Sequence, residues 1–323
     1  MLSPCQRYAV IGGTVLLGVY VLFMDFRMYQ ALQQWMGPTV NASRSHHSST
    51  QTVTMKWLLM PHSSNYIYHP LAEYFDEKSK FSKRFPFITA NMVSFAHVVL
   101  FASLLPLIYS GSLAVRRWGS LGLFMANWLD VYDGVVHRSH VDEEKELYYT
   151  KPVLDFDVDN LVDICVAILQ CVALYLCLLK NPPTRGHSRT HVLPVSRDQQ
   201  KTLINWELGK PCIAFGGLVG LSGLLLGRYV ARFGYIFEYI PKTSIQQKQQ
   251  LLVMKSTQMW VIIWLRRFVS SFNLIDYAII SIALDKVWAF LQLMLYVGWP
   301  LVILLWILTE IQLCQAEKAI LGS

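Results

Sequence analysis

Apolar runs of about twenty residues, the length a helix needs to cross a hydrocarbon layer, recur seven times in this chain and leave little room for a soluble fold. They fall at roughly 8 to 24, 88 to 109, 118 to 136, 157 to 179, 211 to 231, 262 to 284 and 287 to 309. A 54% hydrophobic content over 323 residues and a mean hydropathy of +0.35 agree with this reading. The expected fold class is therefore an all-α polytopic membrane protein. The first run, with Arg7 ahead of it, fits a cleaved signal peptide or a signal anchor. No small-x-small cleavage site follows cleanly, which favours the anchor.

A net charge of +7 raises the question of a nucleic-acid partner. The basic residues do not form one soluble face, however. Arg7, the Arg116 and Arg117 pair, and the series Lys180, Arg185, Arg189, Arg197, Lys201 and Lys210 occupy every second loop, as cytosolic segments do under the positive-inside rule. No nucleic-acid partner is expected. The alternate loops then face a lumen. They contain Asn41-Ala-Ser43, an N-glycosylation sequon, and the acidic stretch from Asp142 to Asp163.

That stretch belongs to the chemically richest part of the chain. Asp130, Asp133, Gly134, His137 and Arg138 end one apolar run, and Asp155, Asp159 and Asp163 open the next. On a helix, Asp130 and Asp133 lie about 60° apart, and His137 returns to within about 20° of Asp130. Asp155, Asp159 and Asp163 form one stripe. A charged residue at a bilayer centre costs about 2.5–3.5 kcal/mol on insertion scales, so carboxylates here point to a function, either a catalytic site or the ion path of a cation transporter, with a buried structural acidic cluster as the remaining alternative. Hard oxygen ligands from two helices suit Mg²⁺ or Mn²⁺, and such ions suit a diphosphate. The glycine between the acids and their clustering at one membrane face argue against the transporter.

These residues resemble the signature of the CDP-alcohol phosphotransferase family, D-x2-D-G-x2-A-R, a spacer, then G-x3-D-x3-D. Asp130, Asp133, Gly134, Arg138, Asp159 and Asp163 match it, while His137 stands in place of Ala and Asp155 in place of Gly. Asn91-Met-Val-Ser94 is similar to the opening of the family's first core helix, with Ala90 replacing Pro. The resemblance implies a six-helix catalytic core plus, here, one extra N-terminal transmembrane helix. Residues 1–25 are expected to form the signal anchor, 26–86 a lumenal linker and interfacial helix, 87–312 the core, and 313–323 a short tail. The extra crossing turns the core over, so that the site faces the lumen.

The segment Met55 to Tyr66 and the His137 variant resemble a Golgi branch of the family. That branch transfers phosphoethanolamine from CDP-ethanolamine to the primary hydroxyl of ceramide, releasing CMP. A choline or ethanolamine phosphotransferase acting on diacylglycerol is the alternative. The resemblance further implies that Asp130, Asp133, Asp159 and Asp163 hold the metal, Mn²⁺ or Mg²⁺ and two ions in all. Asp163 serves as the base or as a shared ligand. Gly134, Arg138 and Asn91 would contact the nucleotide donor, Gly134 letting it approach the helix backbone unless the glycine serves packing alone. Arg138 would meet the phosphates or lock the acidic loop. His137 would donate to phosphate or acceptor, or be structural. Asp155 either points into the site or, the preferred reading, caps its helix. Membrane lipids are the surroundings, and the sequence leaves a homodimer open.

Residues 64 to 85 mix aromatic and basic positions, as an interfacial helix or a plain linker would. Arg266, Arg267, Ser270, Asn273 and Asp276 are too polar to face lipid and should point into the bundle, the arginines reaching phosphates or snorkelling to an interface. The six cysteines show no CxxC pattern and read as small hydrophobes. The loop from 181 to 200, with its prolines and several basic residues, reads as solvated.

Overall fold

A computed structural model describes residues 4–34, 58–140, 153–183, 206–237, 241 and 243–321. Every regular element among them is a helix, as the apolar runs predicted. In chain order these are α1 (Pro4–Gln34), α2 (His69–Ser79), α3 (Ala90–Ile108), α4 (Leu113–His140), α5 (Val153–Lys180), α6 (Trp206–Phe237), α7 (Ser244–Met254), α8 (Thr257–Phe268), α9 (Ser271–Ala283), α10 (Val287–Leu293) and α11 (Trp299–Leu321). A π-helical stretch, Ser64–Tyr68, leads into α2, and a single turn, Phe81–Arg84, follows it.

Five helical stretches are long and apolar enough to cross a membrane, namely Val15–Gln34, Ala90–Ile108, Leu161–Lys180, Trp206–Phe237 and Val287–Ile320. The protein is thus a multi-pass membrane protein. The other two expected spans depart from that pattern. Helix α4 is continuous, but Arg116, Arg117, Asp130, Asp133 and Arg138 interrupt its apolar character. The run at 262–284 is two helices, α8 and α9, broken at Val269 and Ser270. There the Val269 amide closes onto the Arg266 carbonyl, the tight last turn of a helix end. At 1.5 Å per residue the twelve residues of α8 reach only about 18 Å, short of a hydrocarbon core about 30 Å thick. Helix α1 continues to Gln34 and α11 to Leu321, past the limits suggested by hydropathy.

The chain divides into two compact units. One comprises Met1–Pro70, Leu225–Ser270 and Ile303–Ser323. Its core collects one stripe from each helix at three- and four-residue steps: Tyr229, Phe233, Ile236 and Phe237 from α6, Met259 and Ile263 from α8, and Leu313, Ala316 and Ile320 from α11. Within this core lies a charge cluster. Asp25 of α1, only 4% exposed, accepts hydrogen bonds from Arg267 Nη1 at 2.8 Å and Trp264 Nε1 at 2.7 Å, with the Tyr66 hydroxyl and His62 Nε2 completing its shell. The peptide around His62 and Tyr66 is therefore tied to α1 and α8 by one carboxylate.

The other unit comprises Leu71–Leu224 and Ser271–Val302. Its centre is the antiparallel pair of α3 and α4. Gly122 and Gly119 let the two backbones approach: a Cβ at Gly122 would come within 2.7 Å of Leu104 Cδ2, and one at Gly119 within 2.8 Å of Ile108 Cδ1. Helix α5 meets α6 in the same manner, Gly216 facing the Cys171 thiol. At the start of α4, Arg116 is buried and pairs with Asp285 at 2.8 Å, and Arg117 donates to the Ala283 carbonyl at 3.1 Å. These arginines therefore anchor the turn between α9 and α10, where Asp285 adopts a left-handed φ of 58°.

Candidate active site

Thr89 caps α3 by accepting the Met92 amide, so Asn91 lies in the first turn and Ser94 and His97 follow one turn apart. On the facing stretch of α4, Asp130 and Asp133 are also one turn apart. Because the helices are antiparallel, the two steps pair off. Ser94 is 1% exposed, and its hydroxyl hydrogen-bonds Asp133 Oδ2 beside the Ala90 carbonyl. His97, 2% exposed, sets its Nδ1 3.3 Å from Asp130 Oδ1. Ser94 belonged to the opening segment noted in the sequence. His97 did not, and its only signal there is its three-residue step from Ser94.

The opposite side of the same turn of α4 is fixed by α2. The Tyr132 hydroxyl donates to Asp76 Oδ1 at 2.9 Å, and the Ser82 hydroxyl and amide donate to the same oxygen at 2.7 and 3.0 Å. Burial pushes the Asp76 carboxyl up, but the Ser82 bonds and then the Tyr132 bond outweigh it, and its pKa lies below the usual value. Tyr132 packs with Ala72, Val93, Val135 and Val136, and Phe75, Phe81 and Trp128 surround its ring. Residues 72 to 82 therefore brace α4, and the aromatic pattern of 64 to 85 that suggested an interfacial helix is divided. Tyr66 and Tyr68 are buried, while Tyr74, Phe75 and Phe85 are exposed.

Gly134, His137 and Arg138 complete the motif on α4, the latter two half-buried. A Cβ at Gly134 would meet only Arg138 Nη1, at 3.6 Å. Unlike Gly119 and Gly122, this glycine is not required by helix packing, and it leaves space beside the two carboxylates. Asn91 is exposed. On α5, Asp163 is exposed, whereas the side chains of Asp155 and Asp159 lie outside the described residues. Among the described residues no three His, Cys, Asp or Glu side chains converge as a metal-holding group. What the structure brings together is Asp130, Asp133, Ser94 and His97.

The polar residues of the broken sixth run point inward as expected. Arg267, Ser270, Asn273 and Asp276 are all buried, and Asn127 of α4 donates to Asp276 Oδ1 at 3.0 Å. Both arginines have partners within the protein. Arg267 bonds Asp25 and the Met60 carbonyl, while Arg266 lies over the Tyr229 ring, 4.4 Å from its centroid, and donates to Thr309 and the Leu225 carbonyl. The described cysteines, Cys165, Cys171, Cys177, Cys212 and Cys314, are free thiols.

The comparisons with known proteins bear on the same helices. The sequence profile of the family described as ceramide phosphoethanolamine synthase matches residues 46–323, a span that includes α2 to α5 and all the motif aspartates. The ceramide phosphoethanolamine synthase of Drosophila melanogaster is 32% identical over 284 residues, covering 84% of this chain and 70% of the fly protein. No solved structure matches. The half-buried carboxylate pair lies inside that match, which is to an enzyme family and not to a cation transporter, and the chain belongs to the ceramide phosphoethanolamine synthase family.

Proposed function

We propose that this protein transfers phosphoethanolamine from CDP-ethanolamine to the primary hydroxyl of ceramide, giving ceramide phosphoethanolamine and CMP. The observation that carries the reading is the Asp130 and Asp133 pair, on the family's motif, held by α3 beside Gly134, where a Cβ would meet only the Arg138 guanidinium. This donor set of carboxylate oxygens fits a hard dication. Asp130, Asp133, Asp159 and Asp163 would hold it, as Mn²⁺ or Mg²⁺, with two ions by the family resemblance. Bound there, such ions supply positive charge against the diphosphate and ease ionisation of a nearby hydroxyl.

The residues of the chain account for the remaining steps. Gly134 admits the nucleotide to the helix, and Arg138, one turn on, offers a guanidinium to its phosphates, with Asn91 at the entrance to α3. His137 donates a hydrogen bond on the phosphate side. Asp163, exposed on α5, accepts the proton of the ceramide hydroxyl. The hydroxyl oxygen bonds to the β-phosphorus, the bond from that phosphorus to the bridging oxygen breaks, and CMP leaves with the electron pair. The basic loops and the Asn41 sequon support a site facing the lumen, and the family resemblance supports a Golgi membrane location.

Purified protein supplied with labelled CDP-ethanolamine or CDP-choline, and with ceramide or diacylglycerol, in all four combinations tests this directly. Product from CDP-ethanolamine and ceramide above the other three is expected. Preference for diacylglycerol would overturn the acceptor, and preference for CDP-choline the donor.

A further inference from the structure

Each aspartate of the pair has two oxygens, and α3 addresses one oxygen of each. Ser94 takes Oδ2 of Asp133 through a hydrogen bond. His97 faces Oδ1 of Asp130 at 3.3 Å, yet neither of its ring nitrogens has a hydrogen-bond partner in an environment where the residue is 2% exposed. A buried imidazole without partners is costly to keep unless a small rotation or a change at its neighbour completes a bond. The neighbour in reach is Asp130.

We propose that His97 is a positioning residue for the transfer reaction. Its Nδ1–H would hold Asp130 Oδ1 and leave the carboxylate free to hold a dication, just as Ser94 already holds one oxygen of Asp133. The two polar pairs then act as rungs of one ladder between α3 and α4, with Gly119 and Gly122 closing the same interface farther along. A carboxylate fixed in this way loses less rotamer freedom on binding an ion, and its outer partners govern affinity as the ligands themselves do. The inference rests on the dication reading given above.

The test uses Mn²⁺ alone with detergent-purified full-length protein, following the free-ion signal by electron paramagnetic resonance, and separately the Mn²⁺ concentration that half-activates transfer. His97→Asn places an amide N–H near the Nδ1 position, whereas His97→Gln places it near Nε2. His97→Asn is expected to bind Mn²⁺ within about threefold of the wild type, and His97→Gln and His97→Leu about tenfold or more weakly, with half-activation moving in parallel. If His97→Leu fails to fold, the comparison of Asn with Gln decides. Equal affinity in the Asn and Gln variants overturns the positioning role while leaving the dication site standing. A wild type that neither binds Mn²⁺ nor needs a divalent ion for transfer overturns the dication reading and the inference with it.

Discussion

Glycines on one helix serve opposite purposes here, and substitution separates them. A Cβ at Gly122 meets Leu104 at 2.7 Å, so Gly122→Ala should overpack the interface and lower stability by about 1–3 kcal/mol. Gly134 has only the Arg138 guanidinium near it, at 3.6 Å, so Gly134→Ala should fold normally, with up to about 1 kcal/mol of added helix stability. Its effect should fall on the nucleotide, raising KM for CDP-ethanolamine. Thermal melts and kinetics on the two variants check this. A destabilised Gly134→Ala with unchanged KM would contradict the assignment. Asp163→Asn should abolish turnover while retaining CDP-ethanolamine binding, because it removes the proton acceptor. Full transfer in that variant would show that another group takes the proton.

At the scale of elements, the Asp25 cluster ties α1, the approach to α2 and α8 together, and its predictions concern stability. Arg267→Met leaves a buried carboxylate without its cation and should cost about 3–5 kcal/mol. Adding Asp25→Leu should restore much of that loss, and a double-mutant cycle by thermal unfolding in detergent measures the coupling. Burial depresses the His62 pKa; the Asp25 bond opposes this in part and the Arg267 charge adds to it. The unfolded chain therefore takes up a proton that the fold refuses in the interval below about 6.5. The His62 contribution is complete above about pH 6.5 and is lost as pH falls from there through the folded value. A Tm that drops from pH 7.5 to 5.5 more steeply in the wild type than in His62→Gln is the expected result. This cluster was invisible in the sequence, because Asp25 and Arg267 are 242 residues apart and nothing in either segment names its partner. The motif on α4 was legible because its spacing is that of a helix turn. His97 became legible only once the register of α3 against α4 was known, since no periodicity distinguishes it from a core histidine. The break at Val269 was missed for a related reason: hydropathy sums across a helix end as readily as through a helix.

For the whole molecule, the apolar runs announced a polytopic helical protein, and five stretches meet that expectation by length and composition. Orientation is tested through Asn41, which lies outside the described residues. A glycosidase-sensitive mass shift that disappears in Asn41→Gln is expected. Cytosolic labelling by an impermeant reagent of a cysteine introduced at Tyr148, in sealed membranes, would place the acidic loop on the wrong side. The central claim is that the carboxylate pair facing α3 performs phosphoethanolamine transfer to ceramide. Its most direct test is the rate of ceramide phosphoethanolamine formation from CDP-ethanolamine by purified wild-type protein and by Asp133→Asn, both shown to melt as folded proteins. A loss of at least about a hundredfold in the variant, with Mn²⁺ binding lost alongside, is predicted, about 2.7 kcal/mol or more of transition-state stabilisation. Transfer within a few-fold of the wild type would contradict it.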